Sequence, residues 1–394
     1  MRVLYVQYTN PGAYPPLVRG ARLLADSGAD VHMLGVQVRG LEALDAEPDS
    51  RISVEIMPAG ASTWQLKAHY ARYVAWVARE GARWRPDWVY ASDVLAAPAA
   101  LTLAAVTGAR VLYHEHDAPS LDHESWAYRQ CLAARQRLLR RADIVVAPNA
   151  ERGRRLAELG GGRSVITAWN CPPTPGTAPR RAGHGDRLRV IYRGSINADR
   201  LPSTVIDAVA RTANVHLAIA GYETAGSRGH VEHLLSRAAH LDLTGRVADL
   251  GTLPGALLES ICAERDLGLA LMPMESTDEN MRHMTGASNK LFEYLASGVV
   301  PLVSDLAEWR ATFVDAGCAV ACDPRSPESI AGVFSWALER PDALRAIADR
   351  GWQRLQRDWN YETQFAPIMR ALWTALDSAS AGAAPEPREA QCAS

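Results

Sequence analysis

The chain has 394 residues, enough for two domains with full cores, and its 48% hydrophobic and 22% charged content is that of a folded, water-facing protein. With 42 Lys+Arg against 44 Asp+Glu the net charge is −2, which excludes a basic surface spread over the whole molecule, so nucleic acid is not an expected partner. Six widely spaced cysteines with no C-x-x-C pair exclude a disulfide framework and suit reduced thiols in a cytoplasmic protein.

The first apolar set, residues 3–6, is too short for a leader and reads as a buried strand. Strands are expected at 2–7, 30–36, 52–57, 87–91, 110–114, 143–147 and 163–167, with helices near 16–27, 63–84, 94–107, 123–141 and 149–159. This alternation predicts a parallel sheet covered by helices on both faces. The longest apolar run, residues 94–109, is broken by Pro98 and Gly108 and is shorter than a membrane span.

The first strand-to-helix junction reads Tyr8-Thr9-Asn10-Pro11-Gly12-Ala13-Tyr14-Pro15-Pro16. Its paired prolines suit a helix start, and Gly12 lets a ligand approach the backbone where α/β sheets bind ligands, at the carboxyl ends of strands. Tyr113-His114-Glu115-His116-Asp117 closes the strand at 110–114. His114, His116, Asp117 and His123 are metal-ligand types. If the strand persists, however, His114 and His116 lie on opposite faces, and no D-x-D occurs anywhere. Two readings remain for His116: a cleft residue handling a hydroxyl or proton, or a corner histidine bonded to backbone.

Residues 125–165 carry Arg129, Arg135, Arg137, Arg140, Arg141, Arg152, Arg154, Arg155 and Arg163 against only Asp143, Glu151 and Glu158. Such a stretch is either a solvated helix face or a weak contact with an acidic membrane surface. Cys171-Pro172-Pro173-Thr174-Pro175-Gly176-Thr177-Ala178-Pro179 then interrupts the pattern as a linker. A second alternating series follows, with strands near 188–193, 215–220, 246–250, 266–271, 299–303 and 318–321. Its helices are expected near 202–211, 229–240, 254–263, 288–297, 326–339, 341–357 and 361–376. The expected division is therefore 1–171, linker 172–187, 188–360, a helix at 361–376 and a disordered tail at 377–394.

In the second half, Arg193-Gly194-Ser195 ends a strand and Arg200 precedes the next helix, where a guanidinium could clamp a diphosphate or lie on the surface. Leu250-Gly251-Thr252-Leu253 makes a glycine turn that could pass close to a nucleobase. Thr285-Gly286-Ala287-Ser288-Asn289-Lys290-Leu291-Phe292-Glu293-Tyr294-Leu295-Ala296-Ser297-Gly298 combines small residues, a helix start capped by Ser288, a lysine and a carboxylate three residues on. Helix-start N–H groups favour anions, and Lys290 and Glu293 share a helix face. The alternative is an ordinary capped helix with both charges solvated. Lys67 and Lys290 are the only lysines among the 42 basic residues, which sets Lys290 apart.

The last of these segments, with Tyr113-His114-Glu115-His116-Asp117, Trp169-Asn170-Cys171-Pro172-Pro173 and Trp359-Asn360-Tyr361-Glu362, resembles the family-4 glycosyltransferases over most of the chain. The resemblance implies the GT-B fold, two Rossmann-like doubly wound α/β domains facing across a cleft, with the C-terminal helix crossing back to the first domain. The first domain would bind the acceptor and the second a nucleotide sugar. The implied activity is a retaining, metal-independent hexosyl transfer from a UDP- or GDP-sugar to an unidentified acceptor, with no cofactor because the nucleotide sugar is a substrate. By position, Glu293 would hold the ribose hydroxyls. Ala287, Ser288 and Asn289 would offer N–H groups to the diphosphate, with Lys290 beside it. Arg200 would neutralise the leaving phosphate, Gly12 would allow close approach and His116 would contact the transferred sugar. Gly251 and Leu253 complete the donor side. The pattern departs at Thr285, where many members carry a glutamate, and at Ser195, where many carry an arginine. Those two positions keep open a non-catalytic nucleotide-sugar-binding partner subunit; a sugar-nucleotide epimerase on the same fold is the other alternative. The expected location is cytoplasmic, with the arginine-rich stretch allowing a peripheral position at the inner membrane face.

Overall fold

Runs of Val, Leu, Ile and Tyr with no polar face form strands only where both sides of a sheet are covered, and two such sheets organise the chain. The computed structural model describes residues 1–38, 49–60, 65–120, 125–177, 186–224 and 226–382. In the first domain β1 (Arg2–Val6), β2 (Asp30–Val36), β3 (Ile52–Met57), β4 (Trp88–Ser92), β5 (Arg110–His114), β6 (Ile144–Ala147) and β7 (Ile166–Thr167) are all parallel, in the order β3-β2-β1-β4-β5-β6-β7. The crossovers are α1 (Pro15–Asp26), α2 (Gln65–Trp84), α3 (Asp93–Thr107), α4 (Trp126–Arg141) and α5 (Ala150–Leu159).

The second domain repeats the scheme. Strands β8 (Leu188–Ile196), β9 (Val215–Glu223), β10 (Val247–Gly251), β11 (Leu267–Ala270), β12 (Val300–Ser304) and β13 (Val320–Cys322) lie parallel in the order β10-β9-β8-β11-β12-β13. Between and after them run α6 (Thr204–Arg211), α7 (His230–His240), α8 (Gly255–Ala263), α9 (Glu279–Arg282), α10 (Asn289–Ala296), α11 (Ala307–Trp309), α12 (Pro327–Glu339), α13 (Pro341–Arg357) and α14 (Tyr361–Gly382). In each sheet the strand order reverses beside the first strand, so the binding crevices open at the carboxyl ends of β1/β4 and of β8/β11.

Alternation decides which side chains meet which layer. Leu4 and Val6 of β1 face α2, α3 and α4, whereas Val3 and Tyr5 face α1 and α14. α14 thus packs in the first domain, through Tyr361, Phe365, Ile368 and Leu372, although it follows the second domain in sequence. Gly20 of α1 makes room for it, since a Cβ there would lie 2.9 Å from the Phe365 ring. The start of the linker is tied to the start of α14: Tyr361 N–H donates to Pro172 O at 2.8 Å, and Thr174 N–H to Glu362 at 2.9 Å.

Several boundaries differ from expectation. β8 and β9 run on past 193 and 220 because Gly194 and Gly221 pair side by side; a Cβ on Gly221 would sit 1.9 Å from Gly194 O. β7 shrinks to Ile166–Thr167. The short α9 and α11 were not expected; α9 starts because the Asp278 carboxylate caps the Asn280 N–H. α14 continues to Gly382, so residues 377–382 are helical rather than part of a disordered tail. Residues 383–394 and half of the expected linker, 178–185, lie outside the described residues. Cys131, Cys171, Cys262, Cys318 and Cys322 are buried free thiols. Among the described residues no helix is long and apolar enough to cross a membrane.

Candidate active site

The donor side grows from the N-terminus of α10. Gly286 holds φ +74°, and a Cβ on it would lie 2.5 Å from the Trp169 ring, so only glycine closes this turn. The turn is tied to the domain exit, with Asn170 N–H donating to Gly286 O at 2.7 Å and Asn170 Nδ2 to Ala287 O at 2.9 Å. It also uses up two expected donors: the N–H groups of Ala287 and Ser288 both donate to Met284 O at 3.0 Å. This shifts the expected set by two residues. The N–H groups with no acceptor inside the helix begin at Asn289, at its first position, and continue with Lys290 and Leu291. Ser288 is the N-cap residue, but its side chain makes no cap bond.

Lys290 stands with its ammonium 3.7 Å from the centroid of the Tyr192 ring and with no hydrogen-bond partner. Burial holds its pKa well below the usual 10.5, aided by the Arg200 and Arg193 cations and opposed by Glu293. Gly194, with φ +103°, lies under it; a Cβ there would be 3.5 Å from Lys290 Cε. Arg200 donates through Nη1 to Ser195 Oγ at 2.6 Å, while its Nε has no partner. Ser195, the departure noted in the sequence, therefore orients Arg200. Glu293 forms an ion pair with Arg193 at 3.1 Å and accepts from Arg19 of α1 at 3.4 Å, and Arg19 also donates to Cys171 O at 2.8 Å. Thr285 is buried with its hydroxyl unpartnered. Gly251 ends β10 at φ +64°, and Thr252 Oγ1 donates to Gly221 O at 3.1 Å, which keeps the Gly251–Leu253 turn against β9.

The opposite wall comes from the first sheet. Gly12 lies in a 3₁₀ turn, Pro11–Ala13, whose N-cap Asn10 accepts the Gly12 N–H at 3.0 Å. The strand β5 stops at His114, and His116 stacks on His114 with ring centroids 3.7 Å apart. The expectation of opposite faces is corrected, since side chains two residues apart share a face even in a continuing strand. His114 Nδ1 and the Tyr90 hydroxyl share a hydrogen bond. Both ring nitrogens of His116 are unpartnered, which removes the corner-histidine reading in which the ring is bonded to backbone. Burial and then Arg152, against the pull of Asp117, bring the His116 pKa down to about 4, so the imidazole is neutral near pH 7. Its backbone is fixed at both ends: the N–H donates to Asp93 Oδ1 at 2.7 Å, and the carbonyl accepts from Arg152 Nη1 at 2.7 Å. His123, part of the metal reading, lies outside the described residues. Among the described residues no group of three His, Cys, Asp or Glu side chains is placed to hold a metal ion.

Sequence reasoning missed Asp93, Tyr14, Arg19 and Arg193. Asp93 opens α3 at φ +62°, an uncommon conformation for a side-chain-bearing residue. Burial and the neighbouring Asp117 push its carboxyl up to about 8, although it accepts the N–H groups of His116 and Asp117. Asp117 in turn accepts from the Tyr14 hydroxyl at 2.7 Å. No spacing rule marks Asp93, whereas Arg193 stood beside Gly194 at a strand end and was legible there. The segment carrying α9 joins the two walls. Met281 Sδ lies 4.0 Å from Arg200 Nη2, Met284 Sδ lies 3.9 Å from Arg152 Nη2, and Asn280 exchanges two hydrogen bonds with Ala118 at 2.7 and 3.0 Å.

Residues 17–170 match the Glycosyl transferase 4-like domain, and residues 200–370 match a Glycosyl transferase-like domain. The glycogen synthase of Mycobacterium tuberculosis is 25% identical over 303 residues, 71% of this chain and 67% of that one. Among solved structures, Anabaena HepE in complex with UDP-glucose superposes with TM-score 0.70 at 18% identity, over 95% of this chain and 100% of that one. Sucrose-phosphate synthase from Thermosynechococcus elongatus does so with TM-score 0.70 at 14% identity, over 96% and 100%. With two parallel-sheet domains, both domain matches and a shared cleft, the chain belongs to the GT-B glycosyltransferases of the family-4 type.

Proposed function

We propose that this glycosyltransferase takes a UDP- or GDP-linked hexose and transfers it, with retention and without a metal ion, to an acceptor held by the first domain. The observation that carries the reading is the gathering of Lys290, Arg200 and Arg193 at the start of α10, with Lys290 Nζ and Arg200 Nε still lacking partners. Like charges gather at such a cost only where an anion compensates them, and a diphosphate supplies that charge. HepE, solved with UDP and with UDP-glucose, binds such a donor on the same fold.

In this reading Glu293 accepts the ribose hydroxyls, exchanging its contact with Arg19 for them, and the Gly251–Leu253 turn lies beside the base. Asn289 and Lys290 N–H groups meet the diphosphate; Arg200 and Lys290 neutralise the charge that grows on it. The acceptor oxygen attacks the anomeric carbon on the face the phosphate leaves. As that carbon–oxygen bond forms, the carbon–phosphate-oxygen bond breaks with its electron pair going to the phosphate, which takes the acceptor proton. The protein contributes position and charge stabilisation. Neutral His116 contacts a sugar hydroxyl, and Gly12 lets the sugar approach the first domain.

The test is Glu293→Ala in calorimetry with UDP and GDP: affinity is expected to fall by about tenfold or more. Unchanged affinity for both removes the ribose assignment. Activity that persists in EDTA is expected; loss restored by Mg²⁺ overturns the metal-free reading. Thr285 and Ser195 favour a second reading, a non-catalytic partner subunit, which sugar transfer or donor hydrolysis by the purified chain discards. Formation of an epimer from donor alone would instead point to an epimerase. A cytoplasmic protein resting at the inner membrane face is in keeping with the exposed Trp126, Arg129, Arg137, Arg140 and Arg141 on α4. Failure to sediment with anionic vesicles at low salt ends that idea.

A further inference from the structure

Of the arginine-rich stretch, two members turn inward, and their surroundings differ. Arg135 is bonded to both oxygens of Glu115, so its charge is met by a carboxylate. Arg152, on α5 and only 5% exposed, has no carboxylate in salt-bridge contact among the described residues. Its Nη1 donates to His116 O at 2.7 Å, its Nη2 to Asn280 O at 3.1 Å with Met284 Sδ at 3.9 Å, and its Nε has no partner.

Among the described residues each carboxylate near it has another partner, although Glu279 Oε1 makes no hydrogen bond. Asp117 accepts from Tyr14, Glu115 holds Arg135 and Tyr113, Glu279 pairs with Arg155, and Asp278 caps α9. The direct partners of Arg152 are two carbonyls and a thioether, while Asp117, Glu115, Glu279 and Asp278 attract it from farther off. Burial still lowers its pKa, so its desolvation is not fully met, and a matching anion would offset the remainder. The same reasoning marked Lys290 and Arg200 for a diphosphate, but Arg152 belongs to the other domain and holds the backbone of His116.

Arg152 also lines a cavity of about 710 Å³ between the domains. One wall is α4 and α5 with Leu132, Leu156 and Leu159; the other is the segment Thr277–Asn280 of the second domain. The volume is that of a small-molecule site, and the walls combine apolar side chains with a few fixed polar groups.

We propose that this cavity binds a small molecule bearing an oxyanion, phosphate or carboxylate, whose charge is met by Arg152. The occupant spans both domains, because Arg152 comes from one and the Thr277–Asn280 wall from the other. The proposal stands apart from the transfer reading, since it uses none of the donor-side residues.

The experiment is calorimetric titration of the full chain in chloride buffer with inorganic phosphate and, separately, malonate. Four proteins are compared: wild type, Lys290→Met, Arg152→Leu and Leu159→Trp. The Lys290→Met protein retains the site while weakening phosphate binding on the donor side. Leu159→Trp fills the cavity from its half-exposed rim without touching the arginine, and it gives the answer if Arg152→Leu fails to fold. Binding that persists in Lys290→Met and is about tenfold or more weaker in both Arg152→Leu and Leu159→Trp supports the site. Phosphate alone or malonate alone behaving this way names the anion. Isotherms of Arg152→Leu and Leu159→Trp that match wild type, or wild type binding neither anion, overturn it.

Discussion

Replacing Lys290 by methionine separates what this residue does for folding from what it does for ligand binding. Methionine keeps the side chain's length and removes the charge. The ammonium is inaccessible and lacks a hydrogen-bond partner, and among the described residues its stabilising neighbours are the Tyr192 ring at 3.7 Å and the Glu293 carboxylate. Desolvating an ammonium costs several kcal/mol, of which the ring returns up to about 2 kcal/mol. The free protein should therefore gain about 1–3 kcal/mol, a rise in melting temperature of roughly 2–10 °C for a domain of this size. UDP affinity should move the other way, losing about 1.5–3 kcal/mol, or roughly 10- to 150-fold in Kd. The advantage of methionine should also shrink with pH. The folded lysine's pKa lies below its ordinary 10.5, so between the two values the unfolded state binds more protons and wild-type stability rises with pH. Thermal unfolding with and without UDP, repeated from pH 7 to 10, reads all three effects. A variant that melts lower than wild type when free, with UDP affinity unchanged, refutes the reasoning: Lys290 would then be a structural residue.

Asp93→Asn should be tolerated, because asparagine accepts φ +62° and the two backbone N–H groups. The folded carboxyl titrates at about 8 against an ordinary 3.8, so the folded protein holds the extra proton between these values and wild-type stability falls as pH rises through them. The melting-temperature difference, Asn variant minus wild type, should climb across that window; a flat difference would contradict the assignment. Gly286→Ala meets both a left-handed backbone and the Trp169 ring at 2.5 Å, and should cost about 2–4 kcal/mol in chemical denaturation. A loss below about 1 kcal/mol would mean the turn relaxes freely.

The sequence by itself determined the two alternating halves, because periodicity is a local property and each strand's apolar run announces burial on both faces. It also marked Lys290, Glu293, Arg200, Gly12 and His116, which sit at strand ends or helix starts that the pattern locates. Element ends were less legible where a distant partner sets them: β8 and β9 extend because Gly194 and Gly221 face each other, and α14 continues on the far domain. Which N–H groups remain at the start of α10 was decided by the turn through Met284, not by position in the motif. Asp93, Arg19 and Arg152 acquire meaning only in three dimensions. Each is an ordinary polar residue in the chain, and only the fold brings it to His116 or Glu293 and determines whether its charge finds a partner there.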